Sequence, residues 1–225
     1  MAVKLFFLWL GLTLGCSAAA QGQPQPEVST AVERQQLQHQ LLQSTDQAQR
    51  LSLLVRLSEV FVTQDPALSL SYAQQWLQSS TDRESADYHR LLLQQTTAYM
   101  LQGNYQQAYQ TSLETERLAR RQNDTKQLFN ALRRQADNLN RLGRADQALP
   151  KALEAMQIAI DANNSVPLQI IRYDLAHIYL NLYAYPQAIQ IASDGLSLAM
   201  AGDDSNRQAN FLHLLAEACR LYQQY

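Results

Sequence analysis

Residues 101–110 read LQGNYQQAYQ, residues 141–150 read RLGRADQALP and residues 181–190 read NLYAYPQAIQ. Each stretch passes through a turn-like pair (Gly103-Asn104, Gly143-Arg144, Tyr183-Ala184) and reaches an alanine at Ala108, Ala148 and Ala188. Returning to one pattern every forty residues is the mark of a structural repeat, so the chain is read in register with itself before anything else.

In that register one helix stripe carries Leu92, Gln95, Thr96 and Tyr99, then Leu132, Gln135, Ala136 and Leu139, then Arg172, Leu175, Ala176 and Tyr179, then Leu212, Leu215, Ala216 and Cys219. Mostly apolar or small residues at spacings of three and four form the packing face of an amphipathic helix. After each break a second helix carries small side chains: Ala108, Ser112 and Thr115; Ala148, Ala152 and Ala155; Ala188, Ala192 and Gly195. Small residues at that spacing let two helices approach closely. Gly103 and Gly143 can end a helix in the left-handed conformation without a Cβ penalty, whereas the third repeat must turn at Tyr183 without a glycine.

A helix, a tight turn and a second helix with this order of large and small residues resembles the tetratricopeptide repeat (TPR). Its consensus is matched by Ala176, Tyr179, Tyr185, Ala188 and a displaced Ala192 in one block, and by Ala136, Gly143, Ala148 and Ala155 in the preceding one. The period is forty residues rather than 34, the first-helix tryptophan is missing, and Arg120, Ile160 and Met200 stand where the family places proline. Such longer repeats are similar to those of exported bacterial proteins. An earlier copy fits residues 53–76, with Asp65-Pro66 opening a helix and Ser69 and Ala73 at its small positions. Thr30 with Glu33, Thr81 with Glu84, and Asp124 with Gln127 are spaced as caps at helix starts; a leading helix runs to about Leu42, and Gly202 marks a stop. The resemblance implies an all-α, right-handed solenoid of antiparallel helix pairs over residues 29–225, with its last repeat incomplete.

Composition agrees with that fold class. Apolar residues make up 46% of 225, enough for a real core, while 7 glycines and 6 prolines leave little turn material for a many-stranded sheet. Residues 1–20 place Lys4 before the apolar run Leu5 to Leu14 and then small residues, the plan of a secretory signal too short to span a bilayer. Cleavage after Ala20 is one reading; lipidation at Cys16, in the lipobox-like Leu14-Gly15-Cys16-Ser17, is the other. Residues 21–28, polar and proline-bearing, read as a tether. Together these features predict export to the periplasm or cell envelope of a bacterium.

The signal contains one of the 18 basic residues and none of the 20 acidic ones, so the remainder is mildly acidic, which gives no footprint for nucleic acid or an anionic membrane. Cys219 is the only cysteine outside the signal, which excludes an internal disulfide framework, and it reads as a small buried apolar residue. His39, His89, His177 and His213 have no ligand spacing on a single helix, and neither a phosphate-binding glycine loop nor a nucleophile elbow occurs. Neither a metal site, a cofactor nor an enzymatic activity is expected within these residues.

Function is therefore expected at a surface. In TPR arrays the first helix of each pair lines a concave groove that binds peptides or partner helices. The resemblance places Asn130, Arg133, Asp137 and Asn140, then Tyr173 and His177, then His213 and Arg220 along it. Amide and guanidinium groups there can hydrogen-bond an extended peptide or a carboxylate, and Tyr173 with His177 offers an apolar wall with polar tips. Residues 210–222, NFLHLLAEACRLY, are apolar around much of the helix, which calls for a cover: more of a longer polypeptide, a partner chain or a second copy. Three roles fit: a non-enzymatic protein- or peptide-binding module; the periplasmic sensory region of a membrane-bound signalling protein of the diguanylate cyclase or histidine kinase type; or an envelope lipoprotein scaffold.

Overall fold

The structure is a computed structural model and describes residues 26–224. The expected signal, Cys16, most of the tether and Tyr225 lie outside the described residues. Ten helices, and no strand, make up the described chain: α1 Pro26–Gln43, α2 Gln47–Phe61, α3 Pro66–Ser79, α4 Ala86–Leu101, α5 Tyr105–Gln122, α6 Thr125–Arg141, α7 Ala145–Asp161, α8 Ser165–Asn181, α9 Tyr185–Ala201 and α10 Ser205–Tyr222. Each helix packs on the next in the chain, and α2 also meets α4, α6 meets α8, and α8 meets α10. That is a solenoid of helix pairs, α2/α3 to α8/α9, with α1 ahead of them and α10 opening a further pair.

Turn chemistry sets the spacing of the helices. Left-handed backbone falls at Gly103, Asn123, Gly143, Asn163, Tyr183 and Asp203, twenty residues apart throughout. Glycine and asparagine enter this conformation cheaply; Tyr183 and Asp203 hold it at a cost of about 1 kcal/mol or more. Helix starts are fixed by side-chain caps: Asp65 accepts from the Leu68 amide ahead of Pro66, Asn104 from Gln107, and Asp124 from Gln127. A cap of this kind stabilises a helix by about 1 kcal/mol.

Four local expectations need correction. The first helix begins at Pro26, so Thr30 lies inside it rather than capping it, and residues 26–28 are helical instead of tether. Helix α4 is capped by Ser85, not Thr81, because the Asp82 carboxylate accepts from the Glu84 and Ser85 amides and holds the intervening turn. Gly202 caps α9 with ordinary φ, and the chain reverses one residue later at Asp203. Cys219 is exposed, not buried.

The core lies between successive helices. Leu132, Ile171, Leu175 and Leu214 are fully buried, as are the small residues Ala108, Ala148, Ala152, Ala155, Ala188 and Ala192 on the second helices. Each large apolar side chain contributes about 1.5–3 kcal/mol by leaving water. Gly195 shows why the positions facing them stay small: a Cβ there would stand 2.3 Å from the Phe211 ring. In α2/α3 the close approach also carries a polar link, the Ser69 hydroxyl donating 2.6 Å to the Ser58 carbonyl.

Candidate functional site

Because one face of α6 looks across to α8, side chains at the same repeat position on the two helices face each other. The most voluminous cleft among the described residues, about 440 Å³, opens there. It is lined by Arg133, Asp137, Asn140 and Arg141 of α6 and by Tyr173, Asp174, His177, Ile178 and Asn181 of α8. A second cleft of about 150 Å³ adjoins it between α8 and α10, shares Arg133, Tyr173 and Asp174, and adds Ile170, Asn210 and Phe211.

The shared ridge is an ion pair, with Arg133 Nε donating to Asp174 Oδ2 at 2.6 Å. Burial pushes the Asp174 carboxyl above the ordinary carboxylate value, and nearby Asp137 adds to this, while Arg133 and Arg134 pull it down; desolvation outweighs the pairing. Only Nε of Arg133 is committed, so its terminal nitrogens are available to a ligand as a planar fork. Further along the cleft Asp137 accepts from Arg141 at 2.8 Å, and Asn181 Nδ2 donates to Asn140 Oδ1 at 2.8 Å, leaving the other half of each amide for an incoming group.

The apolar wall is a chain of rings. Tyr173 stands edge-on to His177 at 4.7 Å and edge-on to Phe211 at 5.9 Å. Burial holds the His177 imidazole below its ordinary value; Arg141 and His213 act the same way, and Glu217 and Asp137 oppose them. Burial first, then the Asp174 and Glu217 carboxylates, raises the Tyr173 phenol, so it stays a hydrogen-bonding hydroxyl near neutral pH. The assembly offers amide, guanidinium, hydroxyl and imidazole groups beside aromatic faces, which suits hydrogen bonding to a peptide backbone and gripping of its side chains.

Of the eight groove residues expected from the sequence, Arg133, Asp137, Asn140, Tyr173 and His177 come together in the larger cleft. Asn130 lines neither cleft. His213 and Arg220 are exposed on α10, beside a separate shallow hollow with Ala216 and Glu217. Sequence reasoning missed Asp174, Arg141 and Asn181. A signal for Asp174 existed: stacked at forty residues it shares a column with Gln94, Arg134 and Leu214, where charges of opposite sign in adjoining repeats predict attraction across the inter-repeat groove. Among the described residues no cluster of His, Cys, Asp or Glu is arranged to hold a metal ion, and no helix is long and apolar enough to cross a membrane.

No protein-family model and no curated protein sequence matches the chain. Solved structures do. RapI in its apo form superposes with a TM-score of 0.75 at 15% identity, over 89% of this chain and 78% of that one. A signal transduction ATPase with numerous domains, carrying a tetratricopeptide repeat sensor, from Pyrococcus horikoshii gives 0.73 at 13% identity, over 85% of this chain and 31% of that one. A Rap protein complexed with competence and sporulation factor gives 0.67 at 17% identity, over 88% and 60%. At such identities the likeness is one of fold: the chain is a TPR-like helical solenoid.

Proposed function

We propose that the chain is a non-enzymatic, protein- or peptide-binding TPR-like module whose concave groove is the pair of adjoining clefts across α6, α8 and α10. The observation that carries this reading is the shared Arg133–Asp174–Tyr173 ridge: an ion pair with unused guanidinium donors beside an aromatic wall, bordered by two open clefts. The Rap protein complexed with competence and sporulation factor supplies an example of this fold holding a partner. Export to the bacterial periplasm or envelope belongs to the same proposal and rests on the signal-like residues 1–20, with Cys16 as the anchor if the signal is of the lipoprotein kind.

A second reading is that the module is the sensory region of a longer signalling protein. The Pyrococcus neighbour favours it, since there a TPR sensor is part of a larger signal transduction ATPase of which this chain spans 31%. Groove and sensor readings are compatible, because a sensory region also acts by binding.

Substitution of the ridge tests the groove. Partners that co-purify with the wild-type protein from its native cells are expected to be lost when Arg133→Ala is combined with Tyr173→Ala, with the helical content by circular dichroism preserved. Retention of every partner by a folded double variant places the binding surface elsewhere.

A further inference from the structure

Next to Arg133, on the side of α6 that faces α4, lies a second arginine in a different situation. Arg134 is partly buried, and its one hydrogen bond to a side chain is from Nη1 to the thioether sulfur of Met100 on α4, at 3.2 Å. No carboxylate among the described residues stands within salt-bridge distance of it. The two acids of the neighbouring cleft are already engaged, Asp174 by Arg133 and Asp137 by Arg141. Elsewhere on this side of the solenoid the arginines are matched: Arg90 binds Glu59 and Asp87, and Arg207 binds Asp204. Arg134 is thus the groove's uncompensated cation.

A thioether is a weak acceptor and brings no charge. Holding a guanidinium partly away from water without a counter-ion is unfavourable. Its electrostatics agree: burial, followed by the like charge of Arg133, pulls the Arg134 pKa down, against the weaker upward pull of Asp137 and Asp174. An anionic group arriving with a ligand would relieve that imbalance and gain a charge-assisted hydrogen bond in a sheltered position. On the other side of α6, the smaller cleft presents Ile170, Tyr173 and Phe211 to an apolar group.

We propose that the groove's ligand is an extended acidic peptide, in which an Asp or Glu side chain takes Arg134 as its counter-charge while an apolar side chain enters the cleft between Tyr173 and Phe211. This rests on the groove reading above and adds to it the charge and the order of the ligand. Adjacent helices lie about 8–10 Å apart, so the two anchors are one to two helix spacings from each other. An extended chain spans that in roughly three to six residues at ~3.3 Å each. Because the counter-charge is a side chain, a free chain terminus is not required.

The test uses pools of N-acetylated, C-amidated octapeptides, each with one Leu or Phe and, three to six residues away, a Glu, Gln or Lys. Binding to the full chain is read by competition against a fluorescein-labelled Glu peptide. The Glu pool is expected to bind about tenfold more tightly than the Gln pool, and the Lys pool most weakly. Arg134→Gln, checked for an unchanged thermal midpoint, should erase the Glu-over-Gln preference while still binding the Gln pool, and Arg134→Lys should keep part of the preference. Equal binding of Glu and Gln pools by the wild type, or a preference that survives Arg134→Gln, overturns the proposal and leaves the groove standing. A preference that emerges only when the C-terminal amide is removed assigns the carboxylate to a chain terminus and also overturns it. If no pool binds the wild type, the peptide-groove reading falls as well.

Discussion

Single side chains decide how closely the repeats approach. At Gly195 the ring of Phe211 occupies the space a Cβ would need, with Cε1 and Cζ at 2.3 Å. In the preceding repeat the aligned residues are Ala155 and Ile171, both buried, so a methyl group is tolerated there opposite an aliphatic side chain. Gly195→Ala is therefore expected to destabilise by about 1–3 kcal/mol through overpacking. Combining it with Phe211→Leu should recover part of that loss, making the pair non-additive in urea unfolding; additive losses would mean that the ring moves aside. His177 supplies a pH-dependent contribution. Its folded-state pKa lies below the ordinary 6.5, so the unfolded chain binds a proton more readily than the folded one. The stability this gives is fully present above pH 6.5 and is lost as pH falls through 6.5 toward the folded-state pKa. Asp174 acts with the opposite sign: its raised pKa means that ionisation costs stability, which protonation restores at lower pH. His177→Gln should flatten the dependence of the thermal midpoint on pH just below 6.5, and an unchanged slope would show that His177 is not its source.

At the level of helices, the sequence carried the architecture because the repeat was visible as small residues at fixed intervals, and all nine such positions from Ala108 to Gly195 are buried. What it could not carry was set by partners outside the local pattern. Asp82 turns the chain ahead of α4 and displaces its cap from Thr81 to Ser85, an effect of one carboxylate on two backbone amides that no apolar period records. Asp174 was overlooked because an acid on a helix face is usually solvated; its burial follows from the neighbouring helix, not from its own. Cys219 failed for a related reason. Its counterpart Leu139 is 2% exposed under α7, whereas no described helix follows α10 to cover Leu212, Ala216 and Cys219. The thiol of the folded protein should accordingly react with a maleimide without denaturant, at a rate near that of a free peptide thiol. Protection in native cell extract but not in the purified chain would identify this face as a covered surface, and protection in both would mean that purified copies cover one another.

Across the whole molecule, repeats are tied to their neighbours through several independent links. Arg120 bridges Glu116 and Glu154, Lys151 reaches Glu116, Gln135 donates to the same carboxylate, and Asn181 bonds Asn140. Glu116 is held ionised by these three donors, which lower its pKa despite the opposing pull of burial. In a solenoid of this kind stability is close to a sum of repeat terms and nearest-neighbour interfaces, so position along the array sets how easily a helix opens. Helices α6 and α8 have partners on both sides: α6 packs on α5, α7 and α8, and α8 on α6, α7, α9 and α10, while α10 packs only on α8 and α9. Amide hydrogen exchange is therefore expected to be slowest along α6 to α8 and much faster in α10, although α10 has a good cap at Asp204 and the same length as α5. A gradient of this shape puts the Arg133–Asp174 ridge on the most rigid part of the array, where a binding surface needs little ordering when a ligand arrives. Uniform exchange would instead mean that the array opens as one cooperative unit, in which case the ridge is no better preorganised than the ends and the preorganisation argument for the groove fails.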